Sequence, residues 1–305
     1  MEEENLRLMK RLAHLKETND AVILAHNYQW GEVQDAADFV GDSLDLSQIA
    51  VKVEAQTIVF CGVHFMAESA SLLAPEKTVI LPEVLADCPL ANMITVEQLK
   101  EARKNYPGVP VVTYINSSAA VKAESDICCT SSNALAVVNS LEQDRVLFVP
   151  DANLAYHVSR QTDKEIIPWK GYCITHYRVT SAEVNWARKM YPDSPIIVHP
   201  ECPPEVTAEA DRVLSTGGMV KYASEANAKR IIVGTEMGML HRLQKENPQK
   251  EFLLLSNGLV CPNMKYTTLA KVVESLEKKE NVITVPEDIR HKAARTVQLM
   301  LDISN

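Results

Sequence analysis

The chain lacks the features that mark membrane-spanning and secreted proteins. No run of about 18 apolar residues occurs, so the sequence predicts no membrane span. The segment Met1-Glu2-Glu3-Glu4 is acidic, whereas a secretory signal begins with basic residues and continues with apolar ones. Acidic residues outnumber basic ones, 40 to 31, for a net charge of −9, which leaves no surplus of Lys and Arg to neutralise phosphates. We therefore expect a cytoplasmic protein that binds neither a membrane nor nucleic acid.

Closely spaced cysteine pairs are also missing. The seven cysteines form no C-x-x-C and no C-x-x-x-C pattern, and the only close pair is Cys128-Cys129. In a cytoplasmic chain, cysteines are metal ligands, catalytic thiols or buried apolar residues rather than a disulfide framework. A cysteine taken alone is most simply a small buried apolar residue, so a functional assignment needs evidence from its position in the chain.

The sequence does contain one unit repeated three times. In each copy an apolar strand ends on a polar triplet, a small polar residue follows 17 residues after the first residue of that triplet, and a cysteine ends the copy. The triplets begin at His26, Tyr114 and His199, the small residues are Ser43, Ser131 and Thr216, and the cysteines are Cys88, Cys173 and Cys261. The predicted strands are Val22–Ala25, Thr57–Phe60, Val79–Leu81, Val111–Tyr114, Val146–Val149, Glu165–Ile167, Ile196–Val198, Ile231–Val233 and Phe252–Leu255. The cysteine spacings of 85 and 88 residues give the period of the repeat.

The repeat predicts the fold. Short apolar strands that alternate with helical stretches are typical of α/β proteins with parallel sheets, and 305 residues exceed one ordinary core. We expect three similar three-layer α/β/α domains around a pseudo-threefold axis, with the active site where they meet. The expected domains are residues 1–88 together with a C-terminal helix in 283–305, residues 89–173 and residues 174–282.

The three repeated cysteines are expected to converge on one centre, because ligand-binding groups gather beyond the carboxyl ends of parallel strands. Three thiolates suit a zinc ion with a fourth ligand, or an iron–sulfur cluster with three cysteine ligands and one open iron. An open iron is a Lewis acid, which favours catalysis over electron transfer. Cys202 has no counterpart in the other copies and is not counted as a ligand. Cys61, Cys128 and Cys129 are expected to be buried and inert.

The chain resembles the quinolinate synthase family over nearly its whole length. The motifs that carry the resemblance are residues 25–29 (AHNYQ), 38–43 (DFVGDS), 62–68 (GVHFMAE), 114–117 (YINS), 129–131 (CTS), 199–203 (HPECP), 215–219 (STGGM) and 261–265 (CPNMK). The resemblance implies a triangle of three α/β domains and one four-iron–four-sulfide (4Fe–4S) cluster on Cys88, Cys173 and Cys261. It also implies a transferase that makes quinolinate, an NAD precursor, from iminosuccinate and dihydroxyacetone phosphate, with release of phosphate and two waters. The expected supplier of iminosuccinate is an aspartate oxidase or an aspartate dehydrogenase.

The resemblance implies roles for the polar residues of the repeat. The residues implied to bind iminosuccinate are His26, Ser43, Tyr114, Ile115, Asn116, Ser131, His199, Pro200, Glu201 and Thr216. Glu201, with His199 beside it, is the candidate general base, and burial is expected to raise its pKa toward neutrality. Tyr28 and His26 are assigned to the triose phosphate end of the reaction.

Several alternatives stay open on the sequence alone. Ser43, Ser131 and Thr216 are either helix N-caps or part of a carboxylate-binding turn, and their shared repeat position favours the second interpretation. His176 is either a structural histidine or a hydrogen-bond partner of substrate or cluster sulfur. The alternative functions are a different three-cysteine cluster hydro-lyase, a zinc enzyme, and an iron or redox sensor. The acidic net charge and the missing basic segment disfavour the sensor.

Overall fold

The computed structural model describes residues 2–304 and contains three parallel sheets of four strands each. The first third of the chain forms α1 (Glu2–Thr18), β1 (Ala21–His26), α2 (Gly31–Ala36), β2 (Phe39–Gly41), α3 (Ser43–Lys52), β3 (Thr57–Cys61), α4 (His64–Leu73) and β4 (Thr78–Ile80). The second forms α5 (Val96–Asn105), β5 (Val111–Tyr114), α6 (Ala119–Ala123), β6 (Ile127–Cys129), α7 (Ala134–Ser140), β7 (Arg145–Val149), α8 (Ala152–Ser159) and β8 (Glu165–Pro168). The third forms α9 (Ser181–Met190), β9 (Ile196–Val198), α10 (Pro204–Glu209), β10 (Arg212–Val213), α11 (Thr216–Glu225), β11 (Arg230–Gly234), α12 (Met239–Glu246) and β12 (Glu251–Leu254). The chain ends with α13 (Pro262–Lys265), α14 (Leu269–Lys278) and α15 (Glu287–Ser304).

The three sheets have the same topology. Their strand orders are β2-β1-β3-β4, β6-β5-β7-β8 and β10-β9-β11-β12, and every strand pair is parallel. The central strands are nearly continuous runs of Val, Ile, Leu and Phe, because helices cover both faces of each sheet and leave no solvated face for polar residues. The predicted α/β architecture of three similar domains is therefore confirmed.

Each sheet also contains a short strand that the sequence did not reveal. These strands, β2, β6 and β10, have only three, three and two residues. None of them contains two adjacent Val, Ile or Leu residues, whereas the equally short β4 and β9 do and were predicted. Their positions are set by pairing with the neighbouring central strand, as in the contact of Tyr114 with Cys129.

Three helices of equal length follow the three repeated cysteines. The helices α5, α9 and α14 have ten residues each, and their N-caps are Thr95, Thr180 and Thr268, each seven residues after its cysteine. Each threonine hydroxyl accepts a backbone N–H of the first turn, which satisfies a donor that the helix itself leaves without a partner. Thr95 and Thr180 form complete capping boxes with Gln98 and Glu183.

The third of these helices packs against the first sheet. Leu269, Val272 and Leu276 of α14 share an apolar cluster with Ile23 and Val59 of β1 and β3. The helices α5 and α9 cover the second and third sheets in the same way. Each cysteine therefore lies on a crossover from one sheet to the next, and the crossover through Cys261 leads back to the first sheet. The domain boundaries at residues 88, 173 and 282 stay predictions. The helix α14 lies before residue 282 in the sequence, but it packs against the first sheet.

The C-terminal helix α15 was expected to pack on the first unit. It contacts α4 of that unit, and it also contacts α6, β6 and α7 of the second. Val297 and Met300 of α15 are fully buried in the largest apolar cluster, which joins the two units. None of the helices in residues 2–304 combines the length and the apolar character of a membrane span.

Candidate active site and metal centre

One cavity opens where residues of all three units meet, beyond the carboxyl ends of the central strands. The residues of the sequence-based site that line it are His26, Tyr28, Ser43, Cys88, Tyr114, Asn116, Ser131, Cys173, His176, His199, Glu201, Thr216 and Cys261. Ile115 and Pro200, which the resemblance included, are buried and are not among the lining residues. The common edge of parallel sheets thus collects groups that are up to 235 residues apart in sequence.

The three repeated cysteines contribute their thiols to this cavity. Burial raises the pKa of Cys88, Cys173 and Cys261. The charge of Glu201 and, to a smaller extent, those of Cys88 and Cys261 raise the pKa of Cys173 further. Thiols must lose their protons to bind a metal, so an ion or cluster at this point would have to supply the positive charge that stabilises three thiolates.

The other four cysteines lie elsewhere. Cys61, Cys128, Cys129 and Cys202 are almost fully buried in apolar clusters, and none of them lines the cavity. Their burial agrees with the interpretation of these residues as small apolar side chains.

The donor set suits an iron–sulfur cluster. Thiolates are the ligands that cluster irons prefer, and the cavity offers three of them from three equivalent crossovers. The buried hydroxyl of Thr175 also lines the cavity. Burial raises the pKa of Cys261, and the hydrogen bond of this hydroxyl to the thiol acts in the opposite direction. A donor beside the thiol favours its charged form, which is the form that binds a metal.

A smaller grouping within the cavity could hold a single ion. Ligand atoms of Cys173, His176 and Glu201 lie within 4.8 Å of one another. Such a three-ligand arrangement is compatible with zinc. It would, however, leave the thiols of Cys88 and Cys261 without a role, whereas a cluster would use all three cysteines.

Glu201 is the centre of a buried hydrogen-bond network. Its Oε2 lies 2.7 Å from His176 Nδ1 and 3.5 Å from His199 Nδ1, and Tyr114 donates a further hydrogen bond to the carboxylate. The rings of His176 and His199 stack with centroids 4.7 Å apart. His199 Nε2 lies 3.3 Å from Ser131 Oγ. The carboxylate therefore links the second and third units across the cavity.

The small residues of the repeat lie at the starts of helices without being their N-caps. Asp42 and Ser215 cap α3 and α11, so Ser43 and Thr216 are the first residues of these helices. The N-cap interpretation is therefore wrong for both. Ser131 precedes the N-cap of α7 by two residues. Since Ser43, Ser131 and Thr216 all line the cavity, their hydroxyls are available to a carboxylate ligand near helix N-termini.

Comparison with known proteins identifies the family. The family model described as "Quinolinate synthetase A protein" matches residues 10–302. The chain belongs to this family. It is 56% identical over 294 residues to the quinolinate synthase of Dehalococcoides mccartyi, covering 96% of this chain and 97% of that protein. It is also 55% identical over 304 residues to the quinolinate synthase of Alkaliphilus metalliredigens, with 99% and 100% coverage. The quinolinate synthase of Methanosarcina barkeri is 51% identical over 300 residues, with 98% and 99% coverage.

Protonation in this family member follows from burial. Burial lowers the pKa of His26 to about 4 and that of His199 to about 3, although nearby carboxylates oppose the effect. Both rings are therefore neutral at pH 7. Burial and the charge of Glu201 raise the pKa of Tyr28 and of Tyr114, so both phenols keep their protons and remain hydrogen-bond donors.

The expectation that Glu201 has a raised pKa is wrong. Burial does act in that direction, but His199, His176 and Tyr114 outweigh it and lower the pKa to about 2. Hydrogen bonds donated to a carboxylate stabilise its charged form. When the cavity holds no substrate, Glu201 is thus ionised and accepts hydrogen bonds from its neighbours.

Sequence reasoning missed two polar residues at the end of β11. Thr235 Oγ1 lies 2.6 Å from the Tyr28 hydroxyl and 2.9 Å from His176 Nε2, so it connects these two side chains. Glu236 is fully buried, lines the cavity and forms an ion pair with Lys265 at 3.0 Å. Both follow the third strand of their unit, and the rule that polar residues just after parallel strands belong to the site predicts their place in the cavity wall.

Proposed function

We propose that this chain is a quinolinate synthase. It condenses iminosuccinate with dihydroxyacetone phosphate and releases phosphate and two waters, a transferase reaction in the de novo synthesis of NAD. Iminosuccinate is an unstable imine, so we further propose an aspartate oxidase or aspartate dehydrogenase as its source and the cytoplasm as the location. The observation that carries the proposal is the meeting of three thiols, one from each crossover, with buried histidines, tyrosines and a carboxylate in one cavity.

The cofactor proposed for the three cysteines is a 4Fe–4S cluster, one per chain. Bound on Cys88, Cys173 and Cys261, it would supply one iron without a protein ligand, a Lewis acid for a substrate oxygen. The thiols of all three residues face the same cavity as the residues proposed to bind substrate.

The residues proposed to bind iminosuccinate must satisfy two carboxylates and an imine. Ser43 and Thr216 offer hydroxyls and first-turn backbone N–H groups at the starts of α3 and α11. Ser131 of the second unit and the neutral ring of His199 of the third add a hydrogen-bonded pair, and Asn116 lines the same space. Carboxylates are stabilised near helix N-termini, where backbone donors have no partner within the helix.

Proton transfer is proposed for Glu201, His199, Tyr28 and His26. Glu201 is a weak base in the cavity without substrate because its pKa is low. A substrate with several negative charges would raise that pKa, since like charges disfavour ionisation. Glu201 would then accept a proton only when substrate is present. The neutral ring of His26 packs edge-on against Tyr28, with ring centroids 4.5 Å apart. This contact brings a proton acceptor and a phenol donor together, and both are proposed to act on the triose phosphate part of the substrate.

The test is product formation by the anaerobically reconstituted protein. Iminosuccinate formed in place from oxaloacetate and ammonium is supplied with dihydroxyacetone phosphate, and both quinolinate and phosphate are measured. The proposal predicts equal amounts of the two products. Phosphate release without quinolinate, or no reaction by protein that contains four irons and four sulfides per chain, would refute it. Metal analysis that finds one zinc and no sulfide would favour the zinc enzyme.

A further inference from the structure

The three crossovers share a backbone hydrogen bond that fixes equivalent positions in the three units. The N–H groups of His64, Ala152 and Met237 donate to the carbonyl groups of Ala86, Gly171 and Leu259, each at 2.8 Å. Each acceptor lies two residues before a repeated cysteine. The residues that immediately precede the three donors are therefore equivalent: Val63, Asp151 and Glu236.

At two of these equivalent positions, a buried carboxylate accepts the backbone N–H of the cysteine. Asp151 Oδ2 lies 3.2 Å from Cys173 N, and Glu236 Oε1 lies 3.1 Å from Cys261 N. Both acidic side chains are fully buried. The second oxygen of each carboxylate accepts a backbone N–H at the start of the following helix: Asp151 Oδ1 accepts Leu154 N at 2.7 Å, and Glu236 Oε2 accepts Gly238 N at 2.7 Å.

The first unit replaces this contact with a local one. Its equivalent residue is Val63, whose side chain has no hydrogen-bond acceptor. Asp87 Oδ1 instead accepts the N–H of the adjacent Cys88 at 2.8 Å. A carboxylate thus holds the N–H of every one of the three cysteines, although the chain reaches this result in two different ways. An acidic residue is costly to bury, so its presence at two equivalent positions requires a reason that helix capping alone does not give.

We propose that Asp151 and Glu236 are positioning residues for the cluster ligands Cys173 and Cys261. Each carboxylate joins a cysteine-bearing crossover to the end of a central strand, 22 and 25 residues earlier in the chain. The contact fixes the orientation of the cysteine and keeps its N–H from donating to cluster sulfur. Hydrogen bonds to cluster sulfurs and nearby charge both set the reduction potential of a cluster. This inference rests on the proposed function, because it requires the cluster.

The counter-charges differ between the two positions. Glu236 is paired with Lys265, whose Nζ also lies 2.6 Å from the carbonyl of Tyr28. The Asp151 carboxylate accepts hydrogen bonds from the N–H groups of Asn153, Leu154 and Cys173, the charge near it is that of Glu201, and no Lys or Arg within residues 2–304 forms an ion pair with it. Asp151 therefore allows the cleaner substitution, since Asp151→Asn leaves no buried cation without a partner. Asparagine is as good an N-cap as aspartate, so this variant retains the cap of α8 and loses the second acceptor.

The test compares cluster release and reduction potential in reconstituted Asp151→Asn, Thr95→Ala and wild-type protein. Thr95→Ala is the matched control, since it removes an N-cap of the same unit without changing a cysteine contact. We expect a chelator to remove iron from Asp151→Asn about tenfold faster than from wild type, with a more positive midpoint potential. Thr95→Ala should lower the unfolding temperature and leave both cluster properties unchanged.

The same contact can be tested in the third unit if Asp151→Asn does not fold. Glu236→Gln combined with Lys265→Met leaves no unpaired buried charge, and the same two changes are expected. The inference would be overturned if the carboxylate variants released iron at the wild-type rate and kept the wild-type potential. It would also be overturned if Thr95→Ala changed both properties as much as they do. Wild-type protein that binds neither iron nor sulfide would instead refute the proposed function, so the two failures are distinct.

Discussion

Burial determines the charge of individual residues around the cavity. His26 and His199 are neutral because desolvation lowers the pKa of each ring, and Glu201 is ionised because three neighbours stabilise its charge. The sequence could predict that these residues lie together, since all of them follow strands. It could not predict the low pKa of Glu201, because Tyr114 lies in another unit and His176 lies 25 residues earlier in the chain, so their hydrogen bonds to the carboxylate exist only in the folded protein.

The lowered pKa of His26 predicts a pH-dependent stability. Between pH 6.5 and about pH 4 the unfolded chain binds a proton at this residue and the folded protein does not, so stability falls as the pH is lowered through this window. From pH 7 to pH 5 the loss attributable to His26 is about 2 kcal/mol. Urea unfolding of the protein without iron and sulfide measures it. His26→Gln should show a smaller loss, and an equal loss in the two proteins would contradict the assignment.

Substitution of Glu201 separates a catalytic carboxylate from a metal ligand. Glu201→Gln removes the charge that accepts hydrogen bonds from His176 and Tyr114, and we expect kcat to fall by about 10² to 10⁴ with the iron content unchanged. The control is Glu205→Gln, an exposed residue of the same unit, which should keep both. If Glu201→Gln lost its metal as completely as a variant of one of the three cysteines, the metal would be bound by Cys173, His176 and Glu201 instead of by three cysteines.

Among the secondary-structure elements, the helices after the cysteines were partly predictable. The helical stretches predicted after Cys88 and Cys173, Val96–Asn105 and Ser181–Met190, have the same bounds as α5 and α9, because capping residues and apolar spacing mark both ends. The partner of α14 was not predictable, because its apolar face carries no information about which sheet it covers. The strands β2, β6 and β10 were missed because none of them contains two adjacent Val, Ile or Leu residues, the apolar run that marks the predicted strands.

The packing of α14 on the first sheet predicts a position-dependent loss of stability. Leu276 is 1% exposed and packs with residues of β1 and β3, so Leu276→Ala should lower the free energy of unfolding by about 2–5 kcal/mol. Glu274, on the exposed side of the same helix, forms a surface ion pair with Lys278, and Glu274→Ala should cost less than about 1 kcal/mol. Urea unfolding measures the loss of unfolding free energy in the two variants. Similar losses would show that α14 does not pack against the first sheet.

The whole molecule is a ring of three units joined by three crossovers. Each crossover carries one cysteine, and the chain after Cys261 returns to the sheet from which it started. This arrangement explains why three cysteines and not four face the cavity, because a fourth would require a fourth crossover. A cluster on these residues would join segments 85 and 88 residues apart in sequence.

Removal of the cluster is therefore expected to increase hydrogen exchange in all three crossovers. Hydrogen exchange of the holoprotein and of the chelator-treated protein should differ most in residues 86–94, 171–179 and 259–267, which precede α5, α9 and α14. The unfolding temperature should fall at the same time, because a ligand bound only by the folded state stabilises it. Faster exchange at only one of the three segments would contradict a cluster held by all three.

The most direct measurement is the iron and sulfide content of a series of cysteine variants after anaerobic reconstitution. We expect about four irons and four sulfides per wild-type chain, and loss of the cluster in Cys88→Ser, Cys173→Ser and Cys261→Ser. Cys202→Ser is the control, because Cys202 is buried in the core of the third unit and does not line the cavity, and it should keep the full content. A cluster that survives in any of the first three variants, or is lost in Cys202→Ser, would contradict the account.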